Sequence, residues 1–216
     1  MSLILILQKL SEGFLHTFLI FALTLLFSLP LGWVVYFGRQ SKLKILSWIV
    51  KVYISIMRGT PLMLQLLLWY FGPYYLFRAS LSGYKFIAII IGFSVNYAAY
   101  FAEIYRSGME AIDKGQYEAA SVLGYSKTQT FFRIVLPQVA RIVLPSVGNE
   151  VITLVKDTSL AYSVSYIEMF AIAKQIAAAR TTILPFLAAG VFYYVFNFIV
   201  AELLSLAEKK VNYFKG

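Results

Sequence analysis

Apolar residues in this chain come in long blocks, and polar residues gather in the stretches between them. Five blocks are long enough to cross a bilayer, at about 14–37, 52–71, 84–105, 143–162 and 183–207. A crossing helix needs roughly 20 apolar residues to span a hydrocarbon core of about 30 Å. The blocks lack the short alternating pattern of membrane β-barrel strands. Without water, a lone crossing segment must satisfy its own backbone, and a helix does so. The pattern predicts an all-α integral membrane protein with about five transmembrane helices and one domain, residues 1–216. Pro30 and Gly32 sit inside the first block, where a membrane helix tolerates a kink. The stretch 167–179 is apolar but short and holds Glu168, Lys174 and Gln175, which predicts an interfacial or re-entrant piece.

Composition agrees with this pattern: 60% of residues are hydrophobic and 13% are charged. Soluble domains carry about twice that charge. The net charge of +9 would suggest nucleic acid in a soluble protein. Here the basic residues cluster beside apolar blocks, as orientation by the positive-inside rule requires. Arg39, Lys42, Lys44, Lys51, Arg106, Lys114, Lys127, Arg133, Arg141, Lys209, Lys210 and Lys215 fall on one side of a five-span chain. Lys9, Arg78, Lys85, Lys174 and Arg180 fall on the other. The first side is therefore expected in the cytoplasm, with the N-terminus outside and the C-terminus inside. Residues 1–10 have no basic n-region, so the N-terminal segment is expected to stay attached rather than be cleaved as a signal. The chain has no cysteine and one histidine, His16, which excludes a disulfide framework, a thiolate nucleophile and a two-histidine metal site. It also has no phosphate-binding G-x-x-x-x-G-K-[ST] loop.

A polar connection, about 106–142, interrupts the blocks between the third and fourth spans. Glu118, Ala119, Ala120, Val122 and Leu123 favour a helix. Gly124 stands where that helix would end, since glycine adopts the left-handed conformation at a C-terminus. Phe131, Phe132, Val135 and Leu136 make a second amphipathic piece. A membrane chain that carries such a helix between spans presents it to a partner.

Polar residues inside spans are costly and mark functional sites by default. In the third span Asn96, Tyr100 and Glu103 recur at helical spacing and share one face, which suggests a substrate path. The structural alternative is that Asn96 joins helices and Glu103 pairs with a basic residue, with Arg58 at similar depth as its partner. In the fourth span Lys156, Asp157, Thr158 and Ser159 are consecutive, which predicts local unwinding or a water-filled cavity. An ammonium, hydroxyls and freed backbone N–H groups there would hold a carboxylate; the alternative is a local Lys156–Asp157 charge balance. Glu150 lies near the cytoplasmic interface and is a weaker candidate. Pro61, within Arg58-Gly59-Thr60-Pro61, is expected to kink the second span.

The spacing Glu118-Ala119-Ala120, three residues, Gly124, nine residues, Ile134, one residue, Leu136-Pro137 resembles the EAA signature of permease subunits of bacterial ABC importers. Met57-Arg58-Gly59-Thr60-Pro61-Leu62 and Lys156-Asp157-Thr158-Ser159-Leu160 are similar to segments of the polar amino-acid permeases of histidine, glutamine and arginine type. The resemblance implies a transport subunit of the bacterial cytoplasmic membrane, with no catalytic residues. Glu118, Ala119, Ala120 and Gly124 would form a coupling helix docked on a separate ATPase dimer, which binds the ATP and Mg. It also implies a second permease chain, identical or a sister, an external amino-acid-binding protein, and alternating access. Glu103 is assigned to a substrate cation and Lys156 to Ser159 to its carboxylate. Glu103, Asp157 and Glu150 together favour a basic substrate of arginine, histidine or lysine type. The competing reading is an ATP-independent secondary transporter or channel, which leaves the EAA loop without a purpose.

Overall fold

The computed structural model describes residues 2–211, and Lys215 lies outside them. The described chain is helical without strands: α1 (Leu3–Arg39), α2 (Lys44–Gly59), α3 (Leu62–Phe77), α4 (Lys85–Glu110), α5 (Lys114–Val122), α6 (Lys127–Thr130), α7 (Leu136–Asp157), α8 (Met169–Arg180) and α9 (Leu184–Val211). A π-turn, Phe131–Val135, joins α6 to α7, and a 3-10 helix, Thr158–Val164, extends α7. Helices α1, α4, α9 and the helical run Lys127–Val164 are each long and apolar enough to cross a membrane.

The second block is broken sharply at the expected proline. The chain bends by 112° between α2 and α3. Proline at 61 disfavours a helical conformation for the residue before it, and Thr60 is extended at φ −124°, ψ 149°. Carbonyls freed at this elbow are recovered by side chains. Gln65 Nε2 donates to the carbonyls of Met57 and Thr60 at 3.1 and 3.2 Å, and Asn96 Nδ2 donates to Met57 at 3.0 Å. Helix α2 leads from the Arg39 end of the bundle, where Ser47 Oγ donates to the Arg39 carbonyl at 2.7 Å, to the depth of Asn96, which holds the Met57 carbonyl; Arg39 and Arg58 both pair with Glu103. The 16 residues of α3 reach about 24 Å, short of a bilayer core, so α2 and α3 make a fifth crossing only as a bent pair.

Helix α4 is the centre of the bundle, with Phe93, Phe101, Ala98 and Ala102 fully buried. Helix α1 runs alongside it in the same direction: Trp33 stacks on Tyr105 at 4.3 Å, and the Tyr105 hydroxyl donates to the Leu29 carbonyl at 3.2 Å. Helix α7 returns in the opposite direction and crosses α4 closely at Gly108, where an added Cβ would lie 2.2 Å from Val143. Phe196 of α9 packs among Phe14, Phe18 and Phe21 of α1.

Helix α8 has 12 residues, too few to cross, in keeping with an interfacial or re-entrant piece. It is anchored by Glu168, which is fully buried. The Glu168 carboxylate accepts from the N–H groups of Phe170 and Ala171, both at 2.7 Å, from Tyr193 at 3.2 Å and from Thr17 at 3.4 Å. Burial pushes this carboxyl above its usual pKa, and those four donors pull against the shift.

Candidate functional site

Two polar stripes face each other at the middle of the bundle. Glu150, Thr153 and Asp157 recur at helical spacing on α7, opposite Asn96, Tyr97 and Tyr100 on α4. With Thr60 and Leu62 of the elbow, they enclose a cavity of about 240 Å³. Tyr97 donates its hydroxyl to Asp157 Oδ2 at 2.7 Å, which fixes the carboxylate in the wall. The wall holds two carboxylates and no basic side chain. A neighbouring cavity of about 330 Å³ shares Tyr100 and Glu150 and brings Arg58, Glu103 and Arg106 to its side.

The α4 stripe turns toward the elbow, and its three predicted members do different things there. Asn96 is buried and also donates to Gln65 Oε1 at 2.9 Å. The Arg58 guanidinium lies 5.4 Å from the Tyr100 ring. Glu103 pairs with Arg39, with Arg106 at 3.0 Å and with Arg58 at 3.7 Å. Three guanidiniums on one carboxylate are a structural node joining α1, α2 and α4. These partners match the structural alternative for Glu103, which also borders the neighbouring cavity.

The Lys156–Ser159 group does not converge on one point. The α-helix stops at Asp157 and tightens into the 3-10 turn, so the expected unwinding takes the form of overwinding. The Thr158 hydroxyl donates to the Val155 carbonyl at 2.7 Å and the Ser159 hydroxyl to the Lys156 carbonyl at 2.8 Å, so both serve the helix backbone. Lys156 is exposed and outside the cavity wall, on the same face of α7 as Ser146, Asn149 and Thr153. Of these four residues only Asp157 enters the wall. Gln65 and Tyr97 are site residues that the sequence pattern did not single out. An amide within the leucines at 62–68 was a visible signal for Gln65; a tyrosine in an aromatic-rich span carried none.

At the end of the bundle with the arginine node, α5 projects from the connection. The Asp113 side chain accepts from Gly115 N at 2.6 Å and caps it. The helix closes with two bonds, Tyr125 N to the Ala120 carbonyl and Gly124 N to the Ser121 carbonyl, both at 3.0 Å. That closure requires Gly124 at φ +76°, a conformation glycine adopts without steric penalty. Ala120 faces inward at 1% exposure, while Val122 and Leu123 stand out at 87% and 74%, and Glu118 and Ala119 are also exposed. The base of this unit is tied to the bundle by Phe131, whose ring meets Trp33 and Phe37 of α1. The π-turn precedes Pro137, whose ring would clash with the Arg133 carbonyl in a regular helix.

Residues 28–213 match the family described as binding-protein-dependent transport system inner membrane component. The chain belongs to this family. It is 34% identical to the L-cystine transport system permease protein TcyB of Bacillus subtilis (strain 168), over 94% of this chain and 86% of that protein. It is 35% identical to the arginine transport system permease protein ArtQ of the same organism, over 93% and 91% of the two chains. The crystal structure of an amino acid ABC transporter with histidines superposes with a TM-score of 0.85 at 28% identity, covering 94% of each chain. This member of the family is a permease subunit of an amino-acid ABC importer, a multi-pass membrane protein and not an enzyme.

Proposed function

We propose that this permease subunit carries a basic amino acid of arginine, histidine or lysine type, inward, with ATP and Mg bound on a separate ATPase dimer. The supporting observation is the cavity wall between α4 and α7, which brings Glu150 and Asp157 together without a basic side chain. A cationic side chain there would be held by charge-assisted hydrogen bonds. Tyr97 keeps Asp157 aimed into the wall, and Tyr100 offers a ring face to the same cation. Arg58, in the adjoining cavity, is the local group suited to the substrate carboxylate.

The exposed polar face of α7, from Ser146 through Asn149 and Thr153 to Lys156, supports a second permease chain. An ammonium at this depth faces protein or a water-filled path rather than lipid. Lys156 would then act from the rim of the path, not from the cavity wall. The α5 helix, with Glu118, Ala119, Ala120 and Gly124, is assigned to the ATPase groove. Seating an exposed apolar edge in a partner's groove suits Val122 and Leu123. With α5 on the cytoplasmic side, the start of α1 is outside and the end of α9 inside, and an amino-acid-binding protein delivers from outside.

The test is uptake in proteoliposomes holding the permease with its ATPase, supplied with the binding protein. Arginine, lysine and histidine should enter in an ATP-dependent manner and compete with one another, while glutamine and cystine compete weakly. Preferential uptake of cystine or glutamine would overturn the basic-substrate reading. Uptake that persists without ATP would favour the secondary-transporter alternative.

A further inference from the structure

The arginine node opens on its far side into a second polar pocket, away from the cavity between α4 and α7. Arg39, Gln40, Ser47, Lys51, Arg106 and Glu110 line about 330 Å³ where the end of α1, the first half of α2 and the end of α4 meet. Charge around it is unbalanced: Arg39, Arg58, Arg106 and Lys51 face Glu103 and Glu110. Among the described residues, no carboxylate pairs with Lys51.

The outer surface of α2 explains what reaches this pocket. Lys44, Lys51 and Ser55 form one edge of the exposed face, and Ile45, Ile49, Val52 and Ile56 form the other. Trp48, 65% exposed, stands between the two edges. An exposed helix face with a basic edge, an apolar edge and a tryptophan at their boundary matches one that meets lipid headgroups along one side and acyl chains along the other.

We propose that this pocket holds the phosphate of an anionic phospholipid, with its acyl chains along the apolar edge of α2. Ser47 and Lys51 belong both to the pocket wall and to α2, so a headgroup there continues directly onto the lipid-facing surface. Basic pockets between transmembrane helices on the cytoplasmic side suit such headgroups. The bound lipid would brace the α1–α2 corner beside Glu103. The proposal holds whichever amino acid is transported.

The permease–ATPase complex is extracted from membranes containing phosphatidylglycerol and phosphatidylcholine, and retained lipid is counted by native mass spectrometry. Phosphatidylglycerol should be retained preferentially, and Lys51→Gln should lower its retention about fivefold, the effect of one basic residue near an anionic surface. Lys9→Gln, the same charge change at the opposite end of α1, should leave retention unchanged. Equal loss in both variants, or no phosphatidylglycerol preference, overturns the proposal. Displacement of the lipid by millimolar inorganic phosphate would show a free-anion site and also overturn it. A variant whose only tryptophan is Trp48 should be quenched by lipids brominated near the headgroup. No quenching would mean that protein, such as a second permease copy, covers α2, and that result refutes the lipid assignment.

Discussion

The Tyr97 hydroxyl donates to Asp157 Oδ2 at 2.7 Å and ties α4 to α7 within the wall of the central cavity. The two residues are far apart in sequence, and their contact converts two helix faces into one site. Asp157 is thereby held in place and still faces the cavity with Glu150.

Asp157→Asn should lower the efficiency of arginine uptake by about tenfold to a hundredfold, the scale for losing one charged hydrogen-bond partner. Tyr97→Phe should have a smaller effect, because the carboxylate remains. Uptake kinetics in proteoliposomes, with ATPase activity as a control for assembly, check both. If Asp157→Asn were as active as the parent protein, the cavity assignment would fail.

Glu103→Gln should act mainly on stability. It leaves Arg39, Arg58 and Arg106 clustered without their shared anion. A loss of about 2–3 kcal/mol is expected, below the fully buried range because Arg58 is well exposed. Denaturant titration in detergent measures it. Adding Arg58→Gln should recover part of the loss, as removing one surplus guanidinium relieves repulsion.

Gly124→Val forces a β-branched residue to φ +76° at the closure of α5, at a cost of about 1–2 kcal/mol. No neighbouring atom lies within 4 Å of an added Cβ, so the effect is conformational and local. The spans should insert normally while transport is uncoupled from ATP hydrolysis or ATPase binding is lost. Glu118→Lys, at an exposed position of the same helix, should weaken ATPase binding without unfolding α5. Pull-down of the ATPase together with hydrolysis and uptake rates separates these outcomes.

Glu168→Ala removes the cap of α8 and leaves the buried hydroxyls of Thr17 and Tyr193 without their shared acceptor. The expected destabilisation is about 1–3 kcal/mol, and Glu168→Gln should retain part of it through its amide oxygen. Hydrogen exchange at Phe170 and Ala171, whose N–H groups bond the carboxylate, should rise first.

The helical class, the apolar crossing blocks, the α5 surface helix and its glycine stop were legible along the chain. These follow from length, apolar content and backbone preference, which act locally. The pairing of Arg58 with Glu103 was also within reach, because helix direction sets their depth. Packing between helices set the rest. Pro61 announced a break, but packing of Gln65 and Asn96 around the freed carbonyls holds the 112° bend between α2 and α3. The four polar residues at 156–159 looked like one site in sequence. A 3-10 turn then spent two hydroxyls on backbone carbonyls and left Lys156 outside the wall, so that only Asp157 met Tyr97. Neighbours along a helix point in different directions, and which of them share a cavity depends on how the other helices pack against them.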